Sequence, residues 1–412
     1  MRRRKRMDDV IAFLLAGGSG NRLRPLTSDR AKPAVPFGGK WFIIDPALYS
    51  LYHSGLNTIK VLTQYNSQPL IQHISRCWPR RPNAEDYVEV IPAQQQTGGD
   101  WYTGTANAVF QNIDVLSQGQ DFEIVAIFAG DHIFKFDASQ MREFHDAKKA
   151  DFTICGMELP VHEAAGRFGV IVVDENSKVL DFQEKPKHPA EIPGKPGFCY
   201  ASMGNYIAHA KILREVLTED AKNTTSSHDF GNDVIPTMIR GGLGVYVYNF
   251  AENKVPDQER PYWVDVGTIS SYHQANMDLA GENPALNLYS QEWPIMTPPD
   301  KEPPAKPARR STVEYSLFSG GDILDGTSVF HSVLGRRVIA SFCSKITECI
   351  LFDRVIVGEG AEVSRTIVCE DVIIPPRTKV GFSKEADRKL GIVIDHDSGI
   401  RVIPRGFKFP NK

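Results

Sequence analysis

Glycines and basic side chains are interspersed in the segment 14–40, LLAGGSGNRLRPLTSDRAKPAVPFGGK, which begins at the end of an apolar run, VIAFLL. The glycines nearest this run would let the backbone adopt positive φ and surround an anion with its N–H groups; they are Gly17, Gly18 and Gly20. Four basic side chains would add charge suited to phosphate: Arg22, Arg24, Arg30 and Lys32. The alternative, a solvated basic loop, does not explain why glycines and bases follow a buried strand. The segment therefore predicts a phosphate-binding loop.

Two familiar nucleotide-binding motifs are excluded. The dinucleotide fingerprint G-x-G-x-x-G is broken, because Gly18 and Gly20 are followed by the letters NRL. The Walker loop requires Ser or Thr after Gly-Lys, whereas Gly39 and Lys40 precede Trp41. The predicted loop must therefore hold its phosphate in another way.

Elements that would position this loop follow from the apolar pattern of the first third of the chain. Buried strands are predicted at VIAFLL, TIKVLTQ, VEVIPA and EIVAIFAG, with helices at IIDPALYSLYHSG and TGTANAVFQNIDVL between them. In the first helix, Asp45 is predicted to cap the N-terminus and Gly55 to stop the C-terminus. The alternation predicts βαβ units and a mostly parallel, Rossmann-like mixed sheet of the α/β class. Ligands then bind at the carboxyl ends of its strands.

The middle of the chain has a different pattern. FGVIVVDENSKVLDFQEKP reads as a β-hairpin, YASMGNYIAH and LGVYVYNF as further strands, and YWVDVGTISSYHQANMDLAG as a loop entering a helix. A proline-rich, charged segment follows and predicts an extended linker. We expect a catalytic domain at 8–285, a linker at 286–312 and a third segment at 313–412.

That third segment contains a 17-residue repeat. Aliphatic residues recur in register: Val333, Ile350 and Ile367; Val338, Val355 and Val372; Ala340, Val357 and Ile374; Ile346, Val363 and Val380; Leu317, Leu334, Leu351 and Val368. A period close to three hexapeptides predicts a parallel β-helix of about four coils. A small β-sandwich is the alternative, but its strands need no fixed register.

Composition limits the remaining possibilities. A chain of 412 residues exceeds one ordinary core, and its formal net charge of −3 gives no general attraction to nucleic acid or membrane surfaces. No apolar run approaches the roughly 20 residues of a membrane span. The six cysteines lack C-x-x-C spacing. We therefore expect a cytoplasmic protein with reduced thiols that binds neither nucleic acid nor membrane.

The loop and later motifs together resemble the sugar-nucleotide pyrophosphorylases, and RAKPAVPFGG resembles the bacterial ADP-glucose pyrophosphorylases in particular. The resemblance continues in order through LTQY, PAQQ, WYTGTANAV, AGDHIF, EKP, SMGNY, SSHDFGNDVIP, YWVDVGT and PPAK. It implies a nucleotidyltransferase domain followed by a left-handed β-helix. It also implies transfer of AMP from ATP to glucose 1-phosphate, giving ADP-glucose and pyrophosphate for glycogen synthesis.

The resemblance implies a role for each matching residue. It makes Asp131, Arg22 and Lys32 catalytic, and Asp131 and Asp265 ligands of Mg²⁺. It assigns ATP to Leu15, Ala16, Gly17, Gly18, Gly20, Gln94, Gln95, Gly104 and Thr105, where the two glutamines suit an adenine edge. It assigns glucose 1-phosphate to Tyr102, Gly169, Glu184, Lys185 and Ser202. It further implies a homotetramer, or a hetero-oligomer with a homologous subunit, regulated by phosphorylated metabolites bound between domains.

Several positions depart from the resemblance. Relatives usually carry Arg at the positions of Phe42, Gln96 and Val264, Asp at Asn107, and some carry a basic residue at Asp29, where an acid would repel an anionic effector. Three lost arginines weaken the positive charge around a polyphosphate. The chain is therefore either an active adenylyltransferase with an altered effector response or a regulatory, weakly active subunit. A pyrophosphorylase for another nucleotide or sugar is a lesser alternative.

Overall fold

The computed structural model describes residues 7–78, 87–94, 101–114, 122–297 and 301–410. The strands of the first part of the chain within these ranges are β1 (Val10–Leu15), β2 (Pro36–Phe37), β3 (Trp41–Phe42), β4 (Thr58–Thr63), β5 (Tyr87–Pro92), β6 (Ile124–Ala129), β7 (His132–Phe134), β8 (Phe152–Pro160), β9 (Val170–Val173), β10 (Val179–Gln183), β11 (Phe198–His209), β12 (Val245–Asn249) and β13 (Trp263–Asp265). Its helices are α1 (Ile44–His53), α2 (Gln68–Cys77), α3 (Thr105–Phe110), α4 (Ala138–Lys148), α5 (Val161–Ala164), α6 (Ala210–Asp220), α7 (Ile235–Arg240) and α8 (Ile269–Ala280). None of these described helices is long and apolar enough to cross a membrane.

The first half of the large sheet is parallel, in the order β6-β1-β4-β5. All four strands predicted here are confirmed. β1 is buried on both faces because α1 and α2 cover one side and α3 and α6 the other, so its alternate side chains enter two separate apolar clusters. Strands with two covered faces are continuous apolar runs, which is why they could be recognised.

The second half of the sheet is largely antiparallel. The long strand β11 pairs with β6 through its C-terminal end and with β8 along most of its length, and β9 and β10 form the predicted hairpin at one edge. Asp174 begins the turn of that hairpin by accepting hydrogen bonds from two backbone N–H groups, those of Asn176 and Lys178. This half forms the wall of the cavity opposite the parallel strands.

Two local predictions are wrong. Asp45 does not cap α1, because Ile43 occupies the N-cap position; the buried Asp45 carboxylate instead accepts hydrogen bonds from the Phe42 backbone and from His73 on α2. The segment YWVD, predicted as a loop, forms the short strand β13. The prediction that α1 stops at Gly55 is confirmed, since this glycine follows the C-cap residue Ser54 and has φ of 96°.

The C-terminal segment is a stack of short parallel strands on three faces. The first face holds β14 (Lys306–Ala308), β16 (Ile323–Asp325), β19 (Ile339–Ala340), β22 (Ile356–Val357) and β25 (Ile373–Ile374). The second holds β15 (Thr312–Glu314), β17 (Ser328–Phe330), β20 (Lys345–Thr347), β23 (Glu362–Ser364) and β26 (Lys379–Val380). The third holds β18 (Val333–Leu334), β21 (Ile350–Leu351), β24 (Thr366–Val368), β27 (Val393–Ile394) and β28 (Arg401–Ile403), with helix α9 (Lys384–Lys389) inserted before the last two.

The predicted register holds for the later coils and fails at the first. Val333, Ile350 and Ile367 are direct partners, as the 17-residue period requires. The 17-residue period predicts that Leu317 pairs with Leu334, but Leu317 pairs with Val333 instead. The cause is a corner one residue shorter after Asp325, where Gly326 has φ of 64°. The stack begins at β14, within the segment predicted as a linker; the domain boundaries stay predictions.

Candidate active site

The C-terminal end of β1 opens into a cavity of about 730 Å³ bounded by both halves of the sheet. Its lining includes most of the residues predicted to bind substrates: Leu15, Ala16, Gly17, Gly18, Gly20, Arg22, Lys32, Tyr102, Gly104, Thr105, Asp131, Gly169, Glu184 and Ser202. Such a volume is ample for a nucleotide-sized ligand. The position agrees with the rule that ligands bind at the carboxyl ends of parallel strands.

Lys32 joins the two predicted metal-binding carboxylates. Its Nζ lies 2.9 Å from Asp131 Oδ2 and 2.9 Å from Asp265 Oδ1. Two acids separated by more than a hundred residues in sequence therefore converge beside the glycine-containing loop. The ammonium is almost enclosed, whereas about a third of the Asp131 side chain is exposed to the cavity.

Strand pairing brings the two acids together. β13 runs antiparallel to β7, so that Asp265 lies opposite His132, the residue after Asp131. His132 Nε2 lies 3.7 Å from Asp131 and 3.8 Å from Asp265, while Trp263 Nε1 approaches the other ring nitrogen at 3.3 Å. A side chain at Gly267 would contact both Asp265 and Arg22, so this glycine leaves room for the charged groups.

These charges shift ionisation in opposite directions. Burial opposes ionisation of Asp131, but Lys32 and His132 outweigh it and lower the pKa of Asp131 to about 2. Burial likewise disfavours the Lys32 ammonium, but Asp131 and Asp265 outweigh it and raise the Lys32 pKa above its usual value. Lys32 and Asp131 therefore face the cavity as a charged pair near neutral pH.

The predicted phosphate loop is only partly as expected. Gly20 has φ of 60°, and a Cβ there would lie 3.0 Å from Thr27 and 3.1 Å from Lys32, but Gly17 and Gly18 do not have positive φ. Arg22 is exposed and lines the cavity. Arg24 does not line the cavity, and Arg30 points away from it to Glu370 of the β-helix. The prediction that these two arginines add charge around the phosphate is therefore wrong for this structure.

The predicted ATP-binding residues divide into three groups. Gly104 and Thr105 line the cavity at the start of α3, where a Cβ on Gly104 would lie 2.2 Å from the His228 carbonyl oxygen. Gln94 is not among the lining residues. Gln95, like the departure at Gln96, lies outside the described residues.

The predicted sugar-phosphate residues surround the antiparallel side of the cavity, except one. Gly169 lies against Phe182, whose ring would be 2.5 Å from a Cβ there, and Glu184 Oε2 would lie 3.0 Å from the same atom. The Ser202 N–H donates to the Gly169 carbonyl at 2.8 Å. Burial raises the pKa of Tyr102, so its hydroxyl stays protonated. Lys185 does not line the cavity; its ammonium is paired with Glu184.

Sequence reasoning missed several polar cavity residues, and two of them, Gln64 and Asp229, make hydrogen bonds that shape the cavity. Gln64, after β4, accepts a hydrogen bond of 2.8 Å from the Tyr102 N–H. Asp229 accepts from Thr105 Oγ1 at 2.8 Å and from the Gly231 N–H at 2.9 Å. Their signals were present, since Gln64 stands in LTQY at a strand end and Asp229 in SSHDFGND. Neither could be placed, because Gln64 follows a strand and Asp229 caps the helical turn Phe230–Val234, and the sequence does not show that these two elements meet.

None of the four departures that fall within the described residues lines the cavity. Phe42 stacks on the His73 ring with centroids 4.0 Å apart. Val264 pairs with Ile133 between β13 and β7. Asn107 Oδ1 accepts from Gln111 within the α3 region. Asp29 pairs with Arg30 at 3.1 Å.

Comparison with known proteins agrees with this geometry. Residues 11–282 match the nucleotidyl transferase family, and residues 298–403 match the GlmU-like C-terminal hexapeptide family, which confirms the left-handed β-helix. The chain is 42% identical to a glucose-1-phosphate adenylyltransferase of Deinococcus radiodurans, covering 97% of this chain and 99% of that protein. It is 43% identical to glucose-1-phosphate adenylyltransferase 2 of Vibrio cholerae, covering 98% of this chain and 99% of that protein. It is 44% identical to a glucose-1-phosphate adenylyltransferase of Thermus thermophilus, covering 97% and 99% in the same order. The chain therefore belongs to the nucleotidyl transferase family and, within it, to the group of the glucose-1-phosphate adenylyltransferases.

Proposed function

We propose that this chain transfers AMP from ATP to α-D-glucose 1-phosphate, giving ADP-glucose and pyrophosphate for α-glucan synthesis. The observation that carries the proposal is the convergence of Asp131, Asp265 and Lys32 at one end of a nucleotide-sized cavity. The names of full-length relatives supply the two substrates.

The reaction needs positioning and charge rather than covalent help. A phosphate oxygen of glucose 1-phosphate attacks the α-phosphorus of ATP in line, and the bond from that phosphorus to the leaving pyrophosphate breaks. The attacking oxygen is already ionised, so no general base is required. Arg22 and Lys32 would bind the triphosphate and the leaving group. Glu184 would accept hydrogen bonds from sugar hydroxyls, and the Ser202 hydroxyl would donate hydrogen bonds to them.

Asp131 and Asp265 would hold a divalent cation, which we propose is Mg²⁺. Both carboxylates already share one ammonium, so the space between them attracts positive charge. Two carboxylates with waters and phosphate oxygens suit Mg²⁺, which when bound would neutralise charge on the transferring phosphate. Lys32, relieved of the two acids, would then be available for the pyrophosphate.

Pyrophosphate release tests this proposal directly. The purified chain is incubated with ATP, Mg²⁺ and a panel of sugar 1-phosphates, and ADP-glucose is identified as the product. Asp131→Asn and Asp265→Asn should each lower the rate by about 10²–10³-fold, by analogy with loss of one preorganised group. The control is Asp278→Asn, the same change on α8 outside the cavity lining. Full activity of the Asp131 variant would reject the assignment, and release with another sugar phosphate alone would change the substrate.

A weakly active regulatory subunit is the second candidate. It is favoured by Phe42 and Val264, which are apolar where the resemblance implies arginine, because loss of positive charge would weaken the binding of a polyphosphate. Retention of Lys32, Asp131 and Asp265 in one cluster supports the catalytic reading instead. A well-folded chain that releases no pyrophosphate, with or without phosphorylated metabolites, would favour the regulatory reading.

We also propose a cytoplasmic oligomer built through the β-helix. In its first sheet the isoleucines Ile323, Ile339, Ile356 and Ile373 are direct partners, and three of them are exposed. A row of exposed aliphatic side chains on a sheet favours burial against another subunit. We propose that this oligomer is a homotetramer or a hetero-oligomer with a homologous subunit, and that phosphorylated metabolites regulate it.

A further inference from the structure

Arg30 connects the phosphate loop to the β-helix through a nearly enclosed ion pair. Its Nη1 and Nη2 donate to the two carboxylate oxygens of Glu370 at 2.6 and 3.0 Å, and its Nε donates to Asp29 at 3.1 Å. The side chains of Arg30 and Glu370 are only 9% and 12% exposed. A two-point contact of this kind fixes direction as well as distance.

The β-helix end of this contact is rigid. Glu370 lies at the coil corner after β24, between two residues whose backbone N–H groups bond to neighbouring coils. Cys369 donates to the Ile403 carbonyl at 2.9 Å, and Asp371 donates to the Asp353 carbonyl at 3.2 Å. The carboxylate is therefore presented from a stacked framework rather than from a free loop.

The other end is linked directly to the cavity. Only Ala31, itself buried, separates Arg30 from Lys32. Lys32 begins a single 3₁₀ turn, Lys32–Ala34, in which the Ala34 N–H bonds to the Ala31 carbonyl and the Val35 N–H to the Lys32 carbonyl. The backbone at Arg30 thus sets the origin of the Lys32 side chain, whose ammonium contacts both Asp131 and Asp265 in this structure and would contact the pyrophosphate in the proposed reaction.

We infer that Arg30 and Glu370 are positioning residues, through which the β-helix holds Lys32 at the catalytic carboxylates. Arg30 does not line the cavity and touches no substrate in this proposal. If Glu370 lost its charge, the more exposed Asp29 would be the one carboxylate among the described residues still paired with the enclosed guanidinium. The guanidinium would then turn towards water, because a poorly paired buried charge is strongly unfavourable. The backbone leading to Lys32 would move with it. The inference rests on the proposed function for its kinetic consequence.

The experiment compares Glu370→Gln with Glu362→Gln in the full chain. The control makes the same change at Glu362, which forms a more exposed ion pair with Lys379. Both partners of this pair belong to the β-helix, so it does not join the β-helix to the phosphate loop. Glu370→Gln should lower kcat by up to about 100-fold, as expected for a displaced catalytic group, with the KM for glucose 1-phosphate little changed. Equal kcat values for the two variants would overturn the inference.

A double variant separates positioning from general stability. Arg30→Met/Glu370→Met leaves no unpaired buried charge, so its thermal midpoint should return close to that of the unmodified chain. The flexible methionines lack the two-point contact, so kcat should stay at least about tenfold low. If kcat recovers together with the thermal midpoint, the pair is only structural.

Hydrogen exchange gives a readout that does not need enzymatic activity. In Glu370→Gln the amides of Ala34 and Val35 should exchange at least about tenfold faster than in Glu362→Gln, since their turn has lost its anchor. Unchanged exchange would contradict the inference. An unmodified chain without activity would reject the proposed function alone, because the exchange comparison would still decide the role of the ion pair.

Discussion

Lys32 decides the charge balance of the cavity. A lysine enclosed by protein would normally lose part of its basicity, yet two carboxylates at 2.9 Å reverse that effect and raise its pKa. The same contacts keep Asp131 ionised, with a pKa of about 2 despite burial. The pKa values of Lys32 and Asp131 therefore depend on each other, and removing the Lys32 ammonium changes the ionisation of Asp131.

Replacement of Lys32 by Gln should affect both rate and pH dependence. Pyrophosphate release should fall by about 10²–10³-fold, since a preorganised charge is lost. In the unmodified chain the folded pKa of Asp131 lies below the unfolded value, so its contribution to stability is present above about pH 4 and is lost as the pH falls towards 2. Without Lys32 the largest cause that lowers the pKa of Asp131 is gone, so this folded pKa should move upward.

The stabilising contribution of Asp131 above about pH 4 is then smaller in the variant than in the unmodified chain, and this difference disappears as the pH falls towards 2. Thermal midpoints of Lys32→Gln and of the unmodified chain, measured between about pH 2 and 7, should diverge as pH rises. Parallel curves would mean that Lys32 does not control the ionisation of Asp131.

At the scale of elements, the sequence predicts best where one requirement acts alone. β1 had to be apolar throughout because both of its faces are covered, and its limits match the predicted run. Asp45 fits the local rule for a helix cap, but His73 on another helix competes for its carboxylate at 2.7 Å. Leu317 fits the 17-residue period, but one short corner at Gly326 shifts its partner. Predictions from local sequence do not account for a partner that is distant in the chain, such as His73, or for a coil corner that is one residue shorter.

Gly104 at the start of α3 carries an element-scale prediction. A Cβ there would meet two backbone oxygens, at 2.2 Å from His228 and 2.5 Å from Ser227. The His228 carbonyl also accepts hydrogen bonds from the first N–H groups of α3, so the loop cannot retreat without losing them. Gly104→Ala should therefore cost about 1–3 kcal/mol of the free energy of unfolding, as overpacking does.

Gly18→Ala is the matched control for this change. No atom lies within 4 Å of the Cβ position at Gly18, and its φ is not positive, so its stability should stay within about 0.5 kcal/mol. Denaturant unfolding of both variants checks the comparison. Equal stabilities would show that the 226–229 loop yields at little cost.

At the scale of the whole molecule, the two segments share an apolar interface that no sequence pattern revealed. Tyr272 and Met277 of α8 pack in one cluster with Val333, Ile350 and Ile367 of the β-helix. The 17-residue period predicted that these β-helix residues would be aliphatic, but not that α8 would cover them. The site was more predictable than the interface, because the motifs that carry Asp131 and Asp265 are short and specific, whereas contacts between surfaces depend on shape.

Two histidines add reciprocal polar contacts to this interface. His273 Nε2 lies 2.8 Å from the Glu348 carbonyl oxygen, and His331 Nε2 lies 3.1 Å from the Met277 carbonyl oxygen. Burial lowers the pKa of His273, although the Glu348 contact opposes this. Its neutral form is thus favoured in the folded protein, where the ring N–H donates to the carbonyl.

The buried His273, at the interface between α8 and the β-helix, should make the stability of the folded protein decrease at acidic pH. Because its folded pKa lies below the unfolded value, the unfolded chain binds more protons as pH falls below about 6.5, and this contribution to stability is then lost. His273→Gln can keep a donor to Glu348 but cannot titrate. The variant should be less stable than the unmodified chain at pH 8, and the gap between their thermal midpoints should narrow towards pH 5. His188→Gln, at an exposed position, should leave the pH profile unchanged; a gap that stays constant for His273→Gln would exclude this histidine as the source of acid sensitivity.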